Sequence, residues 1–431
     1  MAETNSTTAT ASTVVNSPFD TTAPAPVTRG DKHLWGIYMA LCAISLVELY
    51  SASSREVNAS SIGVMGPVIR HVAMLIGGFG IMWLISRKHY RIVILMTYVI
   101  ATISILMMGY VMVAGEVVNG ARRSMNILGI SIQPAELIKL SSVLIVALQM
   151  ARSQKLKSIG VKDKGVFWAA VFITFFGAML LPQGLTNTFL LMFISIGMMI
   201  IGGTPWKRIL LVIAIYGVAG GGYIGYVWLT DNPEAGKLSR MDTWIARIER
   251  FSDPTPKYEQ EINLENRQEM YSYMAQAHGG ISGVLPGNSR EASRLPLAFS
   301  DFIYSIIIED LGVWGGIGVL LLYLWLLGRA AAIASRCSRS YPALLVIGMA
   351  VMVVAQALIH MAIVTGAIPV SGQPLPLISK GGSSILVTSI AFGIMLSVSR
   401  FAANNKAKRQ VIKDEINALP EEMSAENPTQ L

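Results

Sequence analysis

Long apolar stretches separated by short polar links dominate the pattern along the chain. A membrane-spanning helix needs about 20 mainly apolar residues, and the sequence contains ten stretches of this kind. We therefore predict an all-α, multispanning membrane protein with about ten transmembrane helices. The predicted spans cover residues 33–53, 69–86, 92–114, 134–151, 165–181, 188–203, 209–229, 302–328, 342–364 and 383–400.

The longest polar connection joins predicted helices seven and eight, across residues 230–300. A connection of this length within a compact protein is usually functional or disordered. It contains "TWIARIERF" and "NRQEMYSYMAQAHGG", which predict two short amphipathic helices, with Trp244, Ile248 and Phe251 on the membrane-facing side of the first. We expect this connection to fold back over the bundle, and a surface ornament without function is the alternative.

The two ends of the chain differ from the apolar middle. Residues 1–30 are rich in Thr, Ala, Ser and Pro and have neither the basic start nor the apolar run of a signal peptide, so we predict a disordered tail. Residues 404–431 form a second predicted tail, and the transmembrane domain is predicted over residues 31–403.

The chain is 53% hydrophobic and only 14% charged, which argues against a set of soluble domains. Its net charge of +8 could indicate a nucleic-acid surface, but most basic residues fall on alternate links, as the positive-inside pattern requires. We therefore predict no nucleic-acid partner, both termini in the cytoplasm and the 230–300 connection outside. The basic residues on the predicted inner side are Arg29, Lys32, Arg87, Lys88, Arg91, Lys207, Arg208, Arg329, Arg336 and Arg339, with clusters at 152–164 and 400–413.

Polar residues are concentrated in a second outer segment, "NGARRSMNILGISIQPAELIKL". Arg122 and Arg123 precede predicted helix four, and Glu136 and Lys139 lie three residues apart on one face of it. One interpretation is a helix-stabilising ion pair near the interface. The other is a phosphate-binding site, since paired guanidinium groups bind phosphate through fork-shaped donors.

A third outer segment, "TGAIPVSGQPLPLISKGGSS" at residues 365–384, is dense in proline and glycine. Irregular backbone at membrane depth is tolerated only where it is buried in protein or lines a wet cavity. We predict a re-entrant wall that brings Lys380 and Ser383 near a site, and an ordinary turn is the alternative.

Three carboxylates mark predicted helix eight, which opens on Asp301 and carries Glu309 and Asp310 further in. An ionised acid near the membrane centre costs about 2.5–3.5 kcal/mol. Glu309 therefore needs a partner, such as Lys139 or a polar group on a neighbouring helix. The position of Asp301 fits a helix N-cap as well as a reactive group at the outer mouth of the helix.

Other common sites are missing from the sequence. There is no Walker A loop, no dinucleotide fingerprint, no nucleophile elbow and no His or Cys cluster with metal-ligand spacing. Nucleotide hydrolysis and zinc chemistry are therefore not expected.

Four segments in order resemble the SEDS family (shape, elongation, division and sporulation). The likeness extends from Trp35 to Arg400 and rests on "GARRSMNILGISIQPAELIKL", "GGISGVLPGNS", "SDFIYSIIIEDLG" and "PVSGQPLPLISKGGSS". The "SGQPLPLISKGG" form looks more similar to the division members than to the elongation members.

The resemblance implies a peptidoglycan glycosyltransferase that polymerises lipid II, an undecaprenyl-diphosphate-linked disaccharide-peptide, with inversion at the anomeric carbon. Such proteins work at the outer face of the bacterial cytoplasmic (inner) membrane with a class B penicillin-binding protein. Division members also meet other divisome proteins at the septum, among membrane lipids. A lipid II flippase, an elongation polymerase and a scaffold are the alternatives.

Carried over residue by residue, the resemblance makes Asp301 the general base. No cofactor is certain, although a divalent cation, Mg²⁺ or Mn²⁺, could bridge Asp301 and the diphosphate. We assign Glu136 and Glu309 structural polar roles. The predicted substrate contacts are Arg122, Arg123, Lys139 and Lys380 for the diphosphate, Arg247 and Arg250 for the second substrate or the growing glycan, and Gln268 and Ser383 as polar contacts.

The chain departs from the family pattern at several positions. In "PLAFSD", Leu297 and Phe299 replace the usual Glu and His, so any role of those side chains is in doubt here. Gln183 stands where an acid is usual, His360 where we expect Asn, and Ser124 where a Trp usually follows the arginines.

Overall fold

The computed structural model describes residues 30–52, 65–118, 121–127, 130–155, 160–230, 240–257, 259–264, 266–295 and 299–417. Among the described residues, those from Gly30 to Ala403 belong to one compact unit. Apart from Gly30, the predicted N-terminal tail lies outside the described residues, as do residues 418–431 of the C-terminal tail.

Each predicted span corresponds to a helix. Nine helices in the described part of the chain are long and apolar enough to cross a membrane, and α6, with 17 residues, is the shorter tenth. The predicted all-α, multispanning architecture is confirmed. The helices are α1 Lys32–Ala52, α2 Met65–Arg87, α3 Arg91–Ala114, α4 Pro134–Arg152, α5 Asp163–Leu180, α6 Leu185–Ile201, α7 Trp206–Thr230, α8 Arg240–Ser252, α9 Arg267–Gly279, α10 Ile303–Ala334, α11 Ser340–Val364 and α12 Gly382–Asn417. The long connection contains the two predicted short helices, of which α8 is amphipathic and α9 is not.

A small antiparallel sheet lies between α3 and α4 and was not predicted. It consists of β1 (Glu116–Val118), β2 (Ala121–Ile127) and β3 (Ile130–Ile132), in that order. The outer strands have three residues each, too few to show a period-two pattern in the sequence. The sheet belongs to what we call the loop end of the bundle, the segments that join α3 to α4, α5 to α6, α7 to α10 and α11 to α12.

Helix α4 is the centre of the bundle, packing against α3, α5, α6 and α11. It is among the less hydropathic spans, yet 83% of its most apolar window is buried, because protein rather than lipid surrounds it. Serine pairs bridge the helices: Ser141 Oγ is 2.8 Å from Ser104 Oγ of α3, and Ser142 Oγ is 3.0 Å from Ser195 Oγ of α6. Such small polar contacts hold helices together in an apolar medium.

Helix α10 is broken at Gly312, whose φ of 71° and ψ of −175° suit glycine. The break is stabilised by the chain that follows α9: the N–H of Val284 donates to the Glu309 carbonyl and that of Leu285 to the Asp310 carbonyl, both at 2.9 Å. Backbone groups freed inside a membrane need such partners. The glycine-rich segment after α9 therefore completes the hydrogen bonding of α10.

At the end of the bundle away from the loop end, Asp31 joins three helices. Its Oδ1 accepts the N–H groups of His33 (3.0 Å) and Leu34 (3.3 Å), capping α1. Arg329 of α10 donates to its Oδ2 through Nε at 2.8 Å. The backbone N–H of Asp31 donates to Ser399 Oγ of α12 at 3.0 Å. The Asp31 carboxylate thus joins the start of α1 to the last part of α10, and the Asp31 backbone adds a contact to the middle of α12.

We predict that Asp31→Asn and Arg329→Gln each lower the free energy of unfolding at neutral pH by about 1 kcal/mol, the upper value for a partly exposed ion pair. The double variant should lose less free energy of unfolding than the two single variants together, because both single changes remove the same interaction. Unfolding in detergent, followed by helical signal, measures these values. Additive costs would contradict the pairing.

The same pair makes stability pH-dependent. Burial alone would raise the pKa of Asp31, but the Arg329 guanidinium and the backbone donors outweigh it and hold the pKa below its ordinary value. A lowered folded-state pKa gives stability that is present above the unfolded pKa and lost as pH falls through the folded pKa. The difference between wild type and Asp31→Asn should therefore shrink as pH falls below the ordinary pKa of an aspartate, and it should vanish once pH is below the folded-state pKa of Asp31.

Candidate functional site

Asp301 lies at the loop end, two residues before α10 begins at Ile303. The chain just before it is bound to the segment between α11 and α12. The Lys380 N–H donates to the Phe299 carbonyl at 2.8 Å, and Ser379 Oγ donates to the Ser300 carbonyl at 2.7 Å. Residues from two distant parts of the sequence therefore form one wall around Asp301.

Gly372 lies directly against the Asp301 carboxylate. A Cβ added at Gly372 would be 2.7 Å from Asp301 Oδ2, closer than side chains normally approach. The carboxylate thus occupies space that only a glycine leaves open, a contact that the sequence did not indicate.

The helix-cap interpretation of Asp301 is wrong. The residue flanking α10 is Phe302, and no side chain caps the helix. Asp301 Oδ1 instead accepts a hydrogen bond from Ser300 Oγ at 2.9 Å. The Asp301 carboxylate is half-buried at the wall of the loop end, and it does not cap α10.

Two arginines act on Asp301 electrostatically. Burial raises the pKa of Asp301, while the Ser300 hydroxyl and the Arg123 and Arg247 charges lower it, and the net result is a pKa above its ordinary value. A carboxylate with a raised pKa binds a proton more readily than an exposed aspartate does. Asp301 therefore has the environment of a proton acceptor next to positive charge.

Arg122 and Arg123 bind different parts of the bundle, and the pairing of β2 with β1 is irregular between them. Arg123 is half-buried and donates through Nε to the Gln183 carbonyl at 3.1 Å, which holds it in the turn between α5 and α6. Arg122 donates to the Met112 carbonyl at 3.1 Å and to that of Val113. Arg122 binds the last carbonyls of α3, where a cation is favourable, and its contact with the diphosphate stays a prediction.

Lys139, predicted at the diphosphate, is reassigned. Its side chain is fully buried, with Nζ 2.7 Å from Glu136 Oε1 and 2.9 Å from Gln356 Oε1 of α11. Gln356 Nε2 donates in turn to the Pro374 carbonyl at 3.2 Å. The ammonium therefore joins α4, α11 and the segment between α11 and α12, and it is sealed from a ligand.

That segment is the predicted re-entrant wall. Residues 373–379 are all buried without forming a helix or strand. The Nδ1 of His360 lies 2.6 Å from the Gln373 carbonyl, and the Tyr323 hydroxyl donates to the Pro376 carbonyl at 2.5 Å. The segment is thus held by side chains of α10 and α11, as irregular backbone at this depth requires.

Ser383, predicted as a substrate contact, is buried at the start of α12. Its Oγ accepts the N–H of Gln133 at 3.2 Å, next to the start of α4. This contact joins the two helix starts, so the predicted ligand role gives way to a packing role.

Glu309 is fully buried and is bound by the long connection. Of the two predicted kinds of partner, it has the polar group on a neighbouring helix, His278 of α9, and not Lys139. It lies 2.8 Å from His278 Nδ1 of α9 and accepts hydrogen bonds from Ser289 Oγ and from the N–H of Arg290 at 2.9 Å. An anion in this position is stabilised by several donors. Glu309 therefore anchors the chain between α9 and α10.

The remaining predicted residues lie around the loop end. Arg247 and Arg250 are half-buried on α8, and Arg250 donates through Nε to the Ala246 carbonyl at 3.0 Å. Gln268 is half-buried in the first turn of α9. The Lys380 ammonium lies 4.3 Å from the centre of the Phe299 ring. Leu297 is outside the described residues.

The structure thus brings together Asp301, Arg123, Arg247 and the Lys380–Phe299 pair. Sequence reasoning missed Gly372 and Gln356, since neither has a local signal of its role. Phe299 was noticed only as a departure from the family pattern. The class of protein defined here is a multi-pass membrane protein with a carboxylate and cations at its loop end.

Comparison with known proteins agrees with this class. A family model described as "Cell cycle protein", which covers FtsW, RodA and SpoVE, matches residues 31–404. The chain therefore belongs to this family, and the predicted membership of the SEDS proteins is confirmed.

Among relatives, the probable peptidoglycan glycosyltransferase FtsW of Dichelobacter nodosus is 30% identical over 86% of this chain and 91% of its own length. The FtsW protein of Bacillus subtilis is 29% identical with the same coverage. Stage V sporulation protein E of Bacillus subtilis is 32% identical over 67% of this chain and 74% of its own length.

Two solved structures share the fold. A chain of a peptidoglycan synthase complex aligns with a TM-score of 0.64 and 23% identity, over 86% of this chain and 98% of that one. The rod shape determining protein RodA of Thermus thermophilus aligns with a TM-score of 0.58 and 22% identity, over 86% and 97%.

We predict that Arg123→Gln raises the pKa of Asp301 further, because the Arg123 charge lowers it. The infrared band of the protonated carboxyl, identified by its loss in Asp301→Asn, should appear at higher pH. Arg122→Gln is the matched control, since Arg122 binds the end of α3. Equal shifts in the two arginine variants would contradict the assignment.

Proposed function

We propose that the protein is a peptidoglycan glycosyltransferase that polymerises lipid II into glycan strands. The observation that carries this proposal is Asp301, a desolvated carboxylate with a raised pKa in the electrostatic range of Arg123 and Arg247. Glycosyl transfer from a diphosphate needs a proton acceptor and positive charge in one place. The names of the FtsW relatives support the same activity.

In the proposed reaction, Asp301 is the general base. It takes the proton of the acceptor sugar hydroxyl while that oxygen attacks the anomeric carbon of the donor. The bond between this carbon and the diphosphate oxygen breaks, and the electron pair leaves with the diphosphate. Attack opposite the leaving group inverts the configuration. A base in such a position contributes about 10²- to 10⁴-fold.

The arginines serve the leaving group. Negative charge grows on the diphosphate as its bond breaks, and Arg123 and Arg247 supply positive charge beside the base. Fixed charge in a partly dehydrated site stabilises a transition state more than charge in water does. Their opposing effect on the Asp301 pKa is smaller than that of burial, so the base keeps its proton affinity.

A divalent cation, Mg²⁺ or Mn²⁺, is part of the proposal. No group of three His, Cys, Asp or Glu side chains that could hold a metal occurs among the described residues. Mg²⁺ is often bound by one or two carboxylates together with substrate phosphates, and Asp301 with a diphosphate offers that donor set. When bound, the cation would stabilise the charge of the diphosphate.

The proposal includes the setting. The protein acts at the outer face of the bacterial cytoplasmic membrane, at the division septum, beside a class B penicillin-binding protein and other divisome proteins. Two observations support this setting: relatives named FtsW, and the shared fold of a chain from a peptidoglycan synthase complex. An elongation polymerase of RodA type is the alternative within the family.

We predict that the purified protein, with its penicillin-binding partner and lipid II, makes glycan polymer, and that Asp301→Asn lowers the rate by about 10²- to 10⁴-fold. Asp253→Asn, the same change at an exposed position, is the control and should keep wild-type activity. Gel separation of labelled glycan measures the product.

Wild-type polymerisation by Asp301→Asn would exclude the general-base role. Transport of lipid II across vesicles with no polymer from the wild-type protein would instead favour a flippase, which needs no base.

We also predict that Gly372→Ala lowers kcat by at least about 10-fold, because small misplacements of reacting groups cost about 10²-fold. The new methyl group would be 2.7 Å from Asp301 Oδ2 and must displace it. Gly381→Ala in the same segment is the control, since its added Cβ would meet its neighbours at 3.4 Å or more. Thermal unfolding should be similar in both variants, and equal activities would contradict the role of Gly372.

A further inference from the structure

The side chain of Lys380 rests on the ring of Phe299. The ammonium is 4.3 Å from the ring centroid, within the roughly 6 Å at which an aromatic face attracts a cation. The backbones are joined as well, because the Lys380 N–H donates to the Phe299 carbonyl at 2.8 Å. A backbone hydrogen bond and a side-chain contact between the same two residues therefore keep the ammonium next to the ring.

Lys380 is a cation of the loop end in addition to the arginines that act on Asp301. The charges that lower the Asp301 pKa are those of Arg123 and Arg247. Lys380 instead lies in electrostatic range of His71 on α2. The loop end therefore has cations that act on different groups: Arg123 and Arg247 act on Asp301, and Lys380 acts on His71 of α2.

A lysine ammonium on a flexible stem loses side-chain entropy when it binds an anion. A ring face that holds the ammonium in place before binding reduces this cost. An aromatic face contacts one side of an ammonium and does not by itself exclude an anion from the other side. Both residues are half-buried, so the pair is at the wall of the site and not in the core.

We propose that Phe299 is a positioning residue that holds the Lys380 ammonium as a second anion-binding contact, for the diphosphate of a lipid-linked substrate. This inference rests on the proposed function for the identity of the substrate. Because the proposed reaction joins two lipid-linked molecules, it has use for a diphosphate contact in addition to Arg123 and Arg247.

Fluorination of Phe299 tests the proposal with little change of shape. Fluorine withdraws electron density from the ring face, so 4-fluoro-, 3,5-difluoro- and 3,4,5-trifluorophenylalanine at position 299 should weaken its hold on the cation stepwise. The probe is undecaprenyl diphosphate, and its Kd is measured in detergent with each protein. We expect the Kd to rise with each fluorine, reaching about 3- to 10-fold for the trifluoro form.

The same series in a Lys380→Gln background is the matched control. In the Lys380→Gln background, the Kd should already be higher with unmodified Phe299. Fluorination should not change it further, since no ammonium is left for the ring to hold. Phe299→Tyr should keep the wild-type Kd, because it retains the ring face. Undecaprenol, which has no phosphate, should bind equally to all forms.

A flat series in the Lys380 protein would overturn the inference, as would an equal rise in both backgrounds, which would indicate packing by the ring. These binding measurements do not depend on polymerisation. If the wild-type protein made no glycan but the fluorination trend held, the proposed function would fail and the diphosphate contact would stand. If glycan formed and the trend was flat, the reverse would apply.

Discussion

The buried ion pair of Glu136 and Lys139 supports much of the loop end. In an apolar interior such a pair is stable only when its remaining donors are also bonded, and breaking one by removing a partner costs about 3–5 kcal/mol. Gln356 accepts a hydrogen bond from Lys139 through Oε1 and donates one through Nε2 to the Pro374 carbonyl. The re-entrant segment is thereby fixed to the central helix α4, and this same segment supplies Gly372 beside Asp301.

A second constraint governs α10. Its helical backbone is interrupted at Gly312, and backbone N–H groups of the chain after α9 donate to the carbonyls of Glu309 and Asp310 that the interruption leaves without helical partners. The Glu309 side chain binds that chain again through Ser289 and His278. The long connection is therefore bound to the bundle. These contacts fix the position of the segment that carries Asp301 relative to α10. Rigid support of this kind is what a reacting carboxylate needs.

Much of the architecture could be predicted because it depends on local patterns. Apolar runs of span length located the helices, and the charge distribution predicted their orientation. The position of Asp301 at the mouth of a helix was visible for the same reason. The small sheet was not, since its outer strands, of three residues each, are too short for a pattern. Arg122 and Arg123 looked equivalent in sequence, and only their contacts in the folded chain separate them.

By itself, the sequence determined that this is a multi-pass membrane protein of the SEDS type, with its unusual polar residues in four segments. Only the tertiary structure decided which of these residues meet. Lys139 carries the charge expected of a phosphate ligand, yet its burial against Glu136 removes it from the site. Gly372 and Phe299 gain their roles from neighbours far away in the chain. The physical reason is that burial and pairing depend on contacts across the bundle, whereas spacing reports only what lies along one helix or strand.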